Sequence, residues 1–319
     1  MAVSKNAWPR FAVLGAGAVG CYYGGMLARA GAPVTLIGRA QHVAAINQNG
    51  LFLDSSNFQQ RIPVAAFTEV AALKDAEIVL FCVKTLDTEA AARMLAPHLA
   101  SNAVVMSFQN GVDNVARIRT ASAIDAIPTV VYVAAEMAGP GHVKHTGRGD
   151  IIIGEFAPRE PSRERKGRDL EKLAALFAAA GIPCVVSKYI EADLWTKLII
   201  NCAYNAISAL SRARYGRIVR MSWTREVMQQ VIVEAAAVAR AEGVRFANGN
   251  LVEIGLQLAE KMANTISSTA QDLARGKRTE IDSLNGFVAR RGAALGVATP
   301  VNQTLHALVK LLEETLESQ

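Results

Sequence analysis

The strongest constraint on the fold lies near the amino terminus, where an apolar run leads directly into three closely spaced glycines. The run Phe11-Ala-Val-Leu precedes Gly15-Ala-Gly17-Ala-Val-Gly20, a helical pattern begins near Ala18, and a second apolar run at 34–37 completes a strand–helix–strand unit. In such a turn the glycines permit a tight bend, the approach of backbone amides to a phosphate, and close packing of the helix on the sheet. The helix N-terminus adds positive potential. We therefore predict a dinucleotide site rather than a purely structural turn, built from Gly15, Ala16, Gly17, Ala18, Val19 and Gly20.

The rest of the chain divides into two differently patterned parts. At 319 residues it is long for one core, and lengths of this order favour two domains. In the first part, short apolar runs alternate with helical stretches, which predicts a mainly parallel sheet wrapped by helices. We expect strands at 11–14, 34–37, 78–83, 103–108, 126–133 and 184–186, and helices at 19–30, 88–99 and 112–119.

Shorter features complete the first part of the chain. Segments 51–53 and 61–64 are expected to form a small hairpin, and 142–145 with 151–153 an antiparallel pair at the far edge of the sheet. Segment 158–169 is rich in charges and breakers and is interpreted as a solvated loop.

Helical periodicity takes over after the last apolar strand pattern. We predict helices at 190–210, 224–242, 251–261, 267–275, 282–295 and 302–318. The domain boundary is accordingly placed between 187 and 188, which gives a cofactor-binding domain of residues 1–187 and a helical substrate domain of residues 188–319.

Composition excludes several classes of protein. Hydrophobic residues make up 51% and charged residues 19% of the chain, as in a globular protein. The net charge of +6 is dispersed, so it favours a small anionic ligand over nucleic acid. No apolar run reaches the 18 residues that a membrane span needs. The four cysteines are widely spaced, so we expect reduced thiols, no metal site and a cytoplasmic location.

The end of the second strand indicates which dinucleotide is bound. Sites for NAD usually place a carboxylate there, whereas this strand runs Leu36-Ile37-Gly38-Arg39. A glycine that leaves room and an arginine with a planar fork of donors suit a 2′-phosphate. We therefore predict NADP(H) rather than NAD(H), with Arg39 as a ligand.

Polar residues also follow two later strands. Lys84 comes after the strand at 78–83, and Asn110 after the strand at 103–108. Ligands of open α/β sheets sit outside the carboxyl ends of the strands, so both residues are expected to line the crevice. The alternatives are a solvated lysine and an Asn-Gly turn.

A polar stripe within an apolar helix is the main candidate for a substrate site. Lys197, Asn201 and Asn205 recur every four residues among Leu, Ile, Ala and Cys, so they share one helix face. Buried amides and an amine need partners. The stripe predicts a substrate site, and its alternative is an internal hydrogen-bond network.

With these residues identified, the chain resembles the ketopantoate (2-dehydropantoate 2-) reductase family over nearly its whole length. Besides the glycine turn, the resemblance is carried by Val83-Lys84-Thr85, Gln109-Asn110-Gly111, Pro140-Gly141-His142-Val143, Trp195-Thr-Lys197-Leu-Ile-Ile-Asn201-Cys-Ala-Tyr-Asn205, Ser267-Ser268-Thr-Ala-Gln271-Asp272 and Arg278-Thr279-Glu280-Ile281-Asp282. It implies an α/β Rossmann-type doubly wound sheet, followed by an all-α domain like the C-terminal domain of 6-phosphogluconate dehydrogenase. The active site is expected in the cleft between them.

The resemblance also implies an activity: NADPH-dependent reduction of 2-dehydropantoate to (R)-pantoate, in pantothenate and coenzyme A biosynthesis. It makes Lys197 and Glu280 catalytic and assigns the substrate to Asn201, Asn205 and Ser268. Asn110 is expected to join the substrate to the nicotinamide, and Glu280 to approach the cofactor as well. Thr269 stands where the family has a methionine-like residue, which affects the shape of the pocket.

Two other functions remain open from the sequence. One is an NADP-dependent reductase of another short 2-oxo or 3-hydroxy acid, and the other is a non-catalytic NADP(H) sensor. A small keto acid is the expected ligand, with no nucleic acid or membrane partner, and a homodimer is possible.

Overall fold

The computed structural model of the chain describes residues 8–156, 169–246 and 250–317. The chain divides into two compact units, residues 1–190 and 191–319, whereas the predicted boundary follows residue 187. The strands are β1 (Phe11–Leu14), β2 (Val34–Ile37), β3 (Leu51–Ser55), β4 (Phe58–Ile62), β5 (Ala65–Phe67), β6 (Ile78–Phe81), β7 (Val104–Ser107), β8 (Ile127–Gly139), β9 (His142–Gly154) and β10 (Cys184–Ser187). The helices are α1 (Ala18–Arg29), α2 (Ala40–Asn49), α3 (Thr88–Leu95), α4 (Asn114–Ser122), α5 (Leu170–Ala179), α6 (Ile190–Ser211), α7 (Tyr215–Arg220), α8 (Ser222–Ala241), α9 (Leu251–Lys261), α10 (Ser268–Ala274), α11 (Asn285–Leu295) and α12 (Pro300–Glu317).

The first unit is built on a sheet whose central strands are parallel. Its order is β4-β3-β9-β8-β7-β6-β1-β2-β5, and β10 pairs with β9. On one side of β1 lie β2 and then β5, and on the other side lie β6, β7 and β8, whereas β3 and β4 lie at the far edge beyond β9. The strand order therefore reverses between β1 and β6, which confirms the predicted doubly wound α/β arrangement.

Strand β1 explains why the sheet is covered on both faces. All four of its residues are buried. Phe11 and Val13 belong to one apolar cluster, with Tyr23 and Leu27 of α1. Ala12 and Leu14 belong to a second cluster that includes residues of α3 and α4. Because successive side chains of a strand point to opposite faces, an unbroken apolar run requires a core on each side.

The prediction for residues 142–153 is wrong. The expected antiparallel pair at the far edge is one continuous strand of 13 residues, β9, and it lies inside the sheet. It is antiparallel to β8, while its beginning pairs with β3 and its end with β10. Gly147 and Gly149 favour a turn in the sequence, but Gly147 pairs with Ala134 in the β8–β9 ladder, and Gly149 lies at one of the three shifts of register in that ladder. The predicted hairpin at 51–53 and 61–64 is confirmed as β3 and β4.

The second unit consists of helices, as predicted. Helix α9 matches its predicted bounds, and α6 differs by one residue at its end. Helix α11 begins later than predicted because residues 281–283 form a separate 3-10 turn. Elements α2, α5, α7 and β5 were not predicted. Helix α2 buries only Ile46, so it has no apolar stripe to signal it. The predicted loop at 158–169 lies outside the described residues except for Asp169, which caps α5.

A buried polar network fixes α6 among its neighbours. The Glu234 carboxylate on α8 accepts hydrogen bonds from the backbone amides of Val301 and Asn302, both at 3.0 Å, where α12 begins. The Asn302 side chain donates to Glu234 at 2.8 Å and accepts from Asn285 of α11 at 3.0 Å. Asn285 also donates to the carbonyl of Cys202, in the middle of α6, at 3.2 Å. Four helices are thereby held in one arrangement.

Candidate active site

The glycine turn between β1 and α1 is packed so closely that two of its positions exclude any side chain. Gly15 has φ +108°, and a Cβ there would lie 2.8 Å from the backbone of Cys82 and Val83, where β6 ends. A Cβ on Gly20 would meet the Gly15 carbonyl oxygen at 2.2 Å. The amides of Gly15 and Ala16 both donate to the Ile37 carbonyl, at 3.0 and 2.8 Å. The turn is thus fastened to the ends of β2 and β6 at once.

The beginning of α1 suits an anion. Gly17 is its N-cap, no side chain caps the helix, and its first turn contains no acidic residue. Nothing lies within 4 Å of the position that a Cβ on Gly17 would take, so the space above it is open. Free amides at a helix N-terminus bind phosphate. These features fit the pyrophosphate of a dinucleotide, which Ala18, Val19 and Gly20 would meet with their backbone.

The other predicted cofactor residues follow strands that neighbour β1. Arg39 follows β2, Lys84 follows β6 and Asn110 follows β7, so all three lie at the same edge of the sheet as Gly15. Arg39 and Lys84 are exposed, and Asn110 is half-buried. The sheet therefore brings these residues to the edge where ligands of doubly wound folds bind.

The structure gives a steric reason for the glycine at position 38. A Cβ there would lie 2.7 Å from the Cβ of Ala16. The glycine is therefore required by contact with the turn itself, whichever dinucleotide is bound. Arg39 and the absence of a carboxylate are then the features of this strand end that bear on a 2′-phosphate.

Helix α6 carries the predicted polar stripe of the second unit. Lys197 and Asn201 are half-buried, whereas Asn205 is 3% exposed. The Asn205 amide nitrogen lies 3.5 Å from the hydroxyl of Ser268, the first residue of α10. The structure thus brings together two of the residues that the resemblance assigns to the substrate.

Ser267 is a residue that the sequence reasoning missed. It is 1% exposed and caps α10, because its hydroxyl accepts a hydrogen bond from the Ala270 amide at 3.1 Å. The same hydroxyl donates to the Asn205 carbonyl at 3.2 Å, and so joins α10 to α6. A serine just before a helical pattern is an N-cap signal that was available in the sequence.

Glu280 lies half-buried immediately before the 3-10 turn at 281–283, and side chains from α12 brace this turn. The Thr279 amide donates to Glu313 at 2.7 Å. Asp282 lies 2.7 Å from His306 Nε2 and 3.2 Å from Lys310 Nζ. Lys310 also donates to Glu313 at 2.7 Å, which links the two contacts.

The described residues offer little support for a reactive thiol, a metal site or a membrane span. The four cysteines are free, and burial raises the pKa of Cys21 and of Cys184 to about 12, so these thiols are protonated near neutral pH. In the described part of the chain no group of three or more His, Cys, Asp or Glu side chains is placed to hold a metal ion. None of the described helices has both the length and the apolarity that a membrane span requires.

Comparison with known proteins decides the family. The family model for ketopantoate reductase PanE/ApbA matches residues 11–158, and the model for the C-terminal part of the same family matches residues 189–313. The chain belongs to the ketopantoate reductase family. This is a family of pyridine-nucleotide oxidoreductases that act on a small keto acid.

Individual relatives agree over nearly their full length. The 2-dehydropantoate 2-reductase of Halobacterium salinarum is 33% identical over 309 residues, which cover 95% of this chain and 99% of that protein. The crystal structure of a PanE/ApbA family ketopantoate reductase from Ralstonia eutropha is 49% identical, with a TM-score of 0.89, and covers 97% of this chain and 99% of its own. A D-mandelate dehydrogenase solved with NADH and anilino(oxo)acetate has a TM-score of 0.88, covers 97% of this chain and 99% of its own, and is 24% identical, so it shares the fold.

The braces of the Glu280 turn give the second unit a predictable pH dependence. Burial opposes ionisation of Asp282 and Glu313, but the hydrogen bonds they accept, above all from His306 and Lys310, outweigh it and lower the pKa of both. The hydrogen bond to Glu313 raises the pKa of Lys310. A lowered carboxyl pKa stabilises the fold above the unfolded value, about 4, and this is lost as the pH falls through the folded value. A raised lysine pKa stabilises the fold below about 10.4, and this is lost at higher pH.

We predict that Lys310→Met lowers the free energy of unfolding of the full chain by about 1–2 kcal/mol near neutral pH, because two carboxylates lose a partly buried donor. The loss of stability between about pH 5 and pH 3 becomes shallower, since the carboxyl pKa values move toward those of the unfolded chain. Urea unfolding at several pH values measures both effects. Lys261→Met, at the exposed end of α9, is the matched control. An unchanged acid slope in Lys310→Met contradicts the assignment.

Proposed function

We propose that this chain reduces 2-dehydropantoate to (R)-pantoate with NADPH, the reaction that supplies pantoate for pantothenate and coenzyme A biosynthesis. The observation that carries the proposal is the stripe of Lys197, Asn201 and Asn205 on α6, with Asn205 against Ser268, in a chain of the ketopantoate reductase family. In addition, 2-dehydropantoate 2-reductase is the name of several relatives at about 30% identity or more over nearly their full length.

The first unit would hold the cofactor. Bound there, NADPH supplies a hydride to the ketone carbon of the substrate. The backbone of residues 15–20 would receive the pyrophosphate at the start of α1. Lys84 and Asn110, at the ends of β6 and β7, would contact the cofactor farther along the same sheet edge. Such fixed contacts serve to hold the reacting carbon at a constant position.

Lys197 would supply the proton. As the ketone carbon accepts the hydride, negative charge develops on its oxygen, and a positioned cation or acid is needed there. The ammonium group of Lys197 would donate a hydrogen bond to this oxygen and then transfer the proton, which yields the hydroxyl of pantoate and a neutral amine. A proton from solvent restores the ammonium. Its half-buried position on an apolar helix supports this role, because the attraction between its ammonium group and the developing negative charge is stronger where water is partly excluded.

The amides and hydroxyls of the second unit would orient the substrate. Asn201, Asn205 and Ser268 offer donors and acceptors for its carboxylate and hydroxyl groups. Asn205 is held before any ligand arrives, through its amide to Ser268 and its carbonyl to Ser267. Glu280, on its braced turn, would accept a hydrogen bond from the substrate hydroxyl and approach the nicotinamide. Asn110 would contact both ligands.

The choice of NADP(H) rests on the end of β2. No carboxylate follows Ile37 to accept the ribose 2′-hydroxyl, and the exposed Arg39 stands at the N-cap of α2. A guanidinium can bind a 2′-phosphate with two parallel hydrogen bonds. We further propose a cytoplasmic location, in keeping with the free thiols, and a homodimer, which sedimentation of the purified chain would test.

We predict that Lys197→Ala lowers kcat for 2-dehydropantoate by about two decades or more, because the transition state loses its proton donor. The Kd for NADPH, measured by fluorescence titration, should change little. Lys261→Ala, also in the second unit, serves as the matched lysine control and should leave both constants unchanged. Near-wild-type turnover by Lys197→Ala would refute the acid role. A wild-type chain that binds NADPH but reduces only another 2-oxo acid, or none, would refute the assigned substrate or the reductase activity itself.

Glu280→Ala is expected to act mainly on substrate binding. We predict that the KM for 2-dehydropantoate rises about tenfold or more, because a charged acceptor for the substrate hydroxyl is lost. Steady-state kinetics at saturating NADPH measure this change. Glu260→Ala, on α9 in the same unit, is the control. If the KM of Glu280→Ala equals that of the control, Glu280 has only a structural role in its turn.

Arg39→Ala tests cofactor choice. We predict that kcat/KM for NADPH falls about tenfold or more while kcat/KM for NADH changes by less than about twofold, because only NADPH carries the 2′-phosphate. Arg93→Ala, an exposed arginine on α3, controls for the loss of one positive charge. A preference ratio that Arg39→Ala leaves unchanged would remove Arg39 from the cofactor site.

A further inference from the structure

Two loops at the ligand edge of the first unit are joined by a set of buried polar side chains. One loop follows β6 and carries Lys84, and the other follows β7 and carries Asn110. The side chains that join them are between 0% and 6% exposed. We call this set the polar clamp, and its members are Thr85, Thr88, Ser107, Gln109 and Asn114.

Gln109 is the centre of the polar clamp. Its side-chain amide nitrogen donates to the Val83 carbonyl at 3.1 Å and to the Thr88 hydroxyl at 2.8 Å. Its oxygen accepts from the Ser107 hydroxyl at 3.1 Å. Both amide hydrogens are therefore used, and both reach across to the other loop, on either side of Lys84. An apolar side chain of the same length would fill this volume. The glutamine adds directional hydrogen bonds, which fix the two loops relative to each other.

The rest of the polar clamp fixes the loop that follows β7. The carbonyl oxygen of Asn110 accepts from the Asn114 side chain at 2.6 Å and from the Thr85 hydroxyl at 3.1 Å. The next residue, Gly111, has φ +102°, a conformation that favours glycine. The backbone on both sides of the Asn110 side chain is thus determined by contacts with the β6 loop and with α4.

The two helices that follow these loops, α3 and α4, are also joined to each other by side-chain contacts. Thr88 and Asn114 are the first residues of α3 and α4, and the Thr88 hydroxyl lies 3.1 Å from the Asn114 amide oxygen. Three residues after Asn114, Arg117 makes a two-bond contact with Glu89 of α3, at 2.7 and 2.8 Å. The two loops and the beginnings of both helices therefore form one rigid support.

We propose that Gln109 is a positioning residue for the cofactor: by locking the β6 loop to the β7 loop, it sets the places from which Lys84 and Asn110 reach NADPH. The assignment of these two residues rests on the proposed function. Gln109 itself is 6% exposed and bonded on all sides within the polar clamp, so it acts through its neighbours and does not touch the ligand.

The test is a double-mutant cycle on NADPH binding, read by fluorescence titration. We predict that Gln109→Met raises the Kd for NADPH about fivefold or more, because Lys84 is no longer held in place. In the Lys84→Ala background the same substitution should change the Kd by less than about twofold, since the side chain that it positions is gone. A matched cycle with Asn110→Ala, read on kcat for 2-dehydropantoate, tests the second loop in the same way.

Controls separate positioning from general loss of packing. Ser55→Ala removes one buried hydrogen bond of the same unit, between Ser55 and His145 at 3.1 Å, and should leave the Kd for NADPH unchanged. Thr88→Val removes one acceptor of Gln109 at nearly constant volume and replaces Gln109→Met if that variant does not fold. Thermal unfolding of each variant verifies that it is folded at the temperature of the titration.

The outcomes are distinct. A Kd within about twofold of wild type in both Gln109→Met and Thr88→Val, or effects of Gln109 and Lys84 that simply multiply, would overturn the proposal. Effects that vanish in the Lys84→Ala background support it. Failure of the wild type to reduce 2-dehydropantoate would refute the proposed function alone, because the cycle on NADPH binding is read without turnover.

Discussion

The structure of the first unit depends on how closely one loop of backbone approaches two strand ends. Gly15, at φ +108°, lies where a Cβ would press on the backbone at Cys82 and Val83, and the amides of Gly15 and Ala16 share the Ile37 carbonyl. With a side chain at this position the turn would have to move away from β6. Helix α1 would then begin farther from the sheet, and its uncapped amides would no longer lie at the point where the strand order reverses. The candidate cofactor site therefore depends on this one close contact.

In the second unit, the polar stripe of α6 is held in place by side chains rather than by a backbone turn. Helix α6 is fixed by side chains that bond to its carbonyls: Asn285 to Cys202 and Ser267 to Asn205. Interior carbonyls of a helix already accept a bond within the helix, so these contacts use their second acceptor site. They hold the rotation of α6, and therefore the direction of its polar face, without interrupting the helix.

Local signals explain how much of this could be predicted. The strand, glycines and helix at residues 11–29 and the stripe on α6 are visible because their periodicity and spacing lie within one or two elements. The sequence predicts two strands in place of β9, because it does not reveal that the β8–β9 ladder continues past Gly149 with a shift of register. The Tyr22 hydroxyl occupies the space beside this glycine. Gln109 was passed over because its partners Val83 and Thr88 are more than 20 residues away in the chain. Glu280 was identified only by resemblance, and its bracing from α12 is equally non-local.

Positively charged groups lie at the same edge of the sheet as the glycine turn. Strands β2 and β6 flank β1 and lie two strand spacings, about 10 Å, apart, so Arg39 and Lys84 follow strand ends on either side of the glycines. The first turn of α1 between them contains no acidic residue, and neither does that of α2. Arg39, Lys84 and the N-terminus of α1 therefore contribute positive potential at one edge, although the turn that follows Lys84 contains the acidic Asp87. A dinucleotide with a third phosphate benefits more from this field than one with two. Because Gly38 is required by its contact with Ala16 whichever dinucleotide is bound, the field and Arg39 are the physical basis for the proposed preference for NADPH.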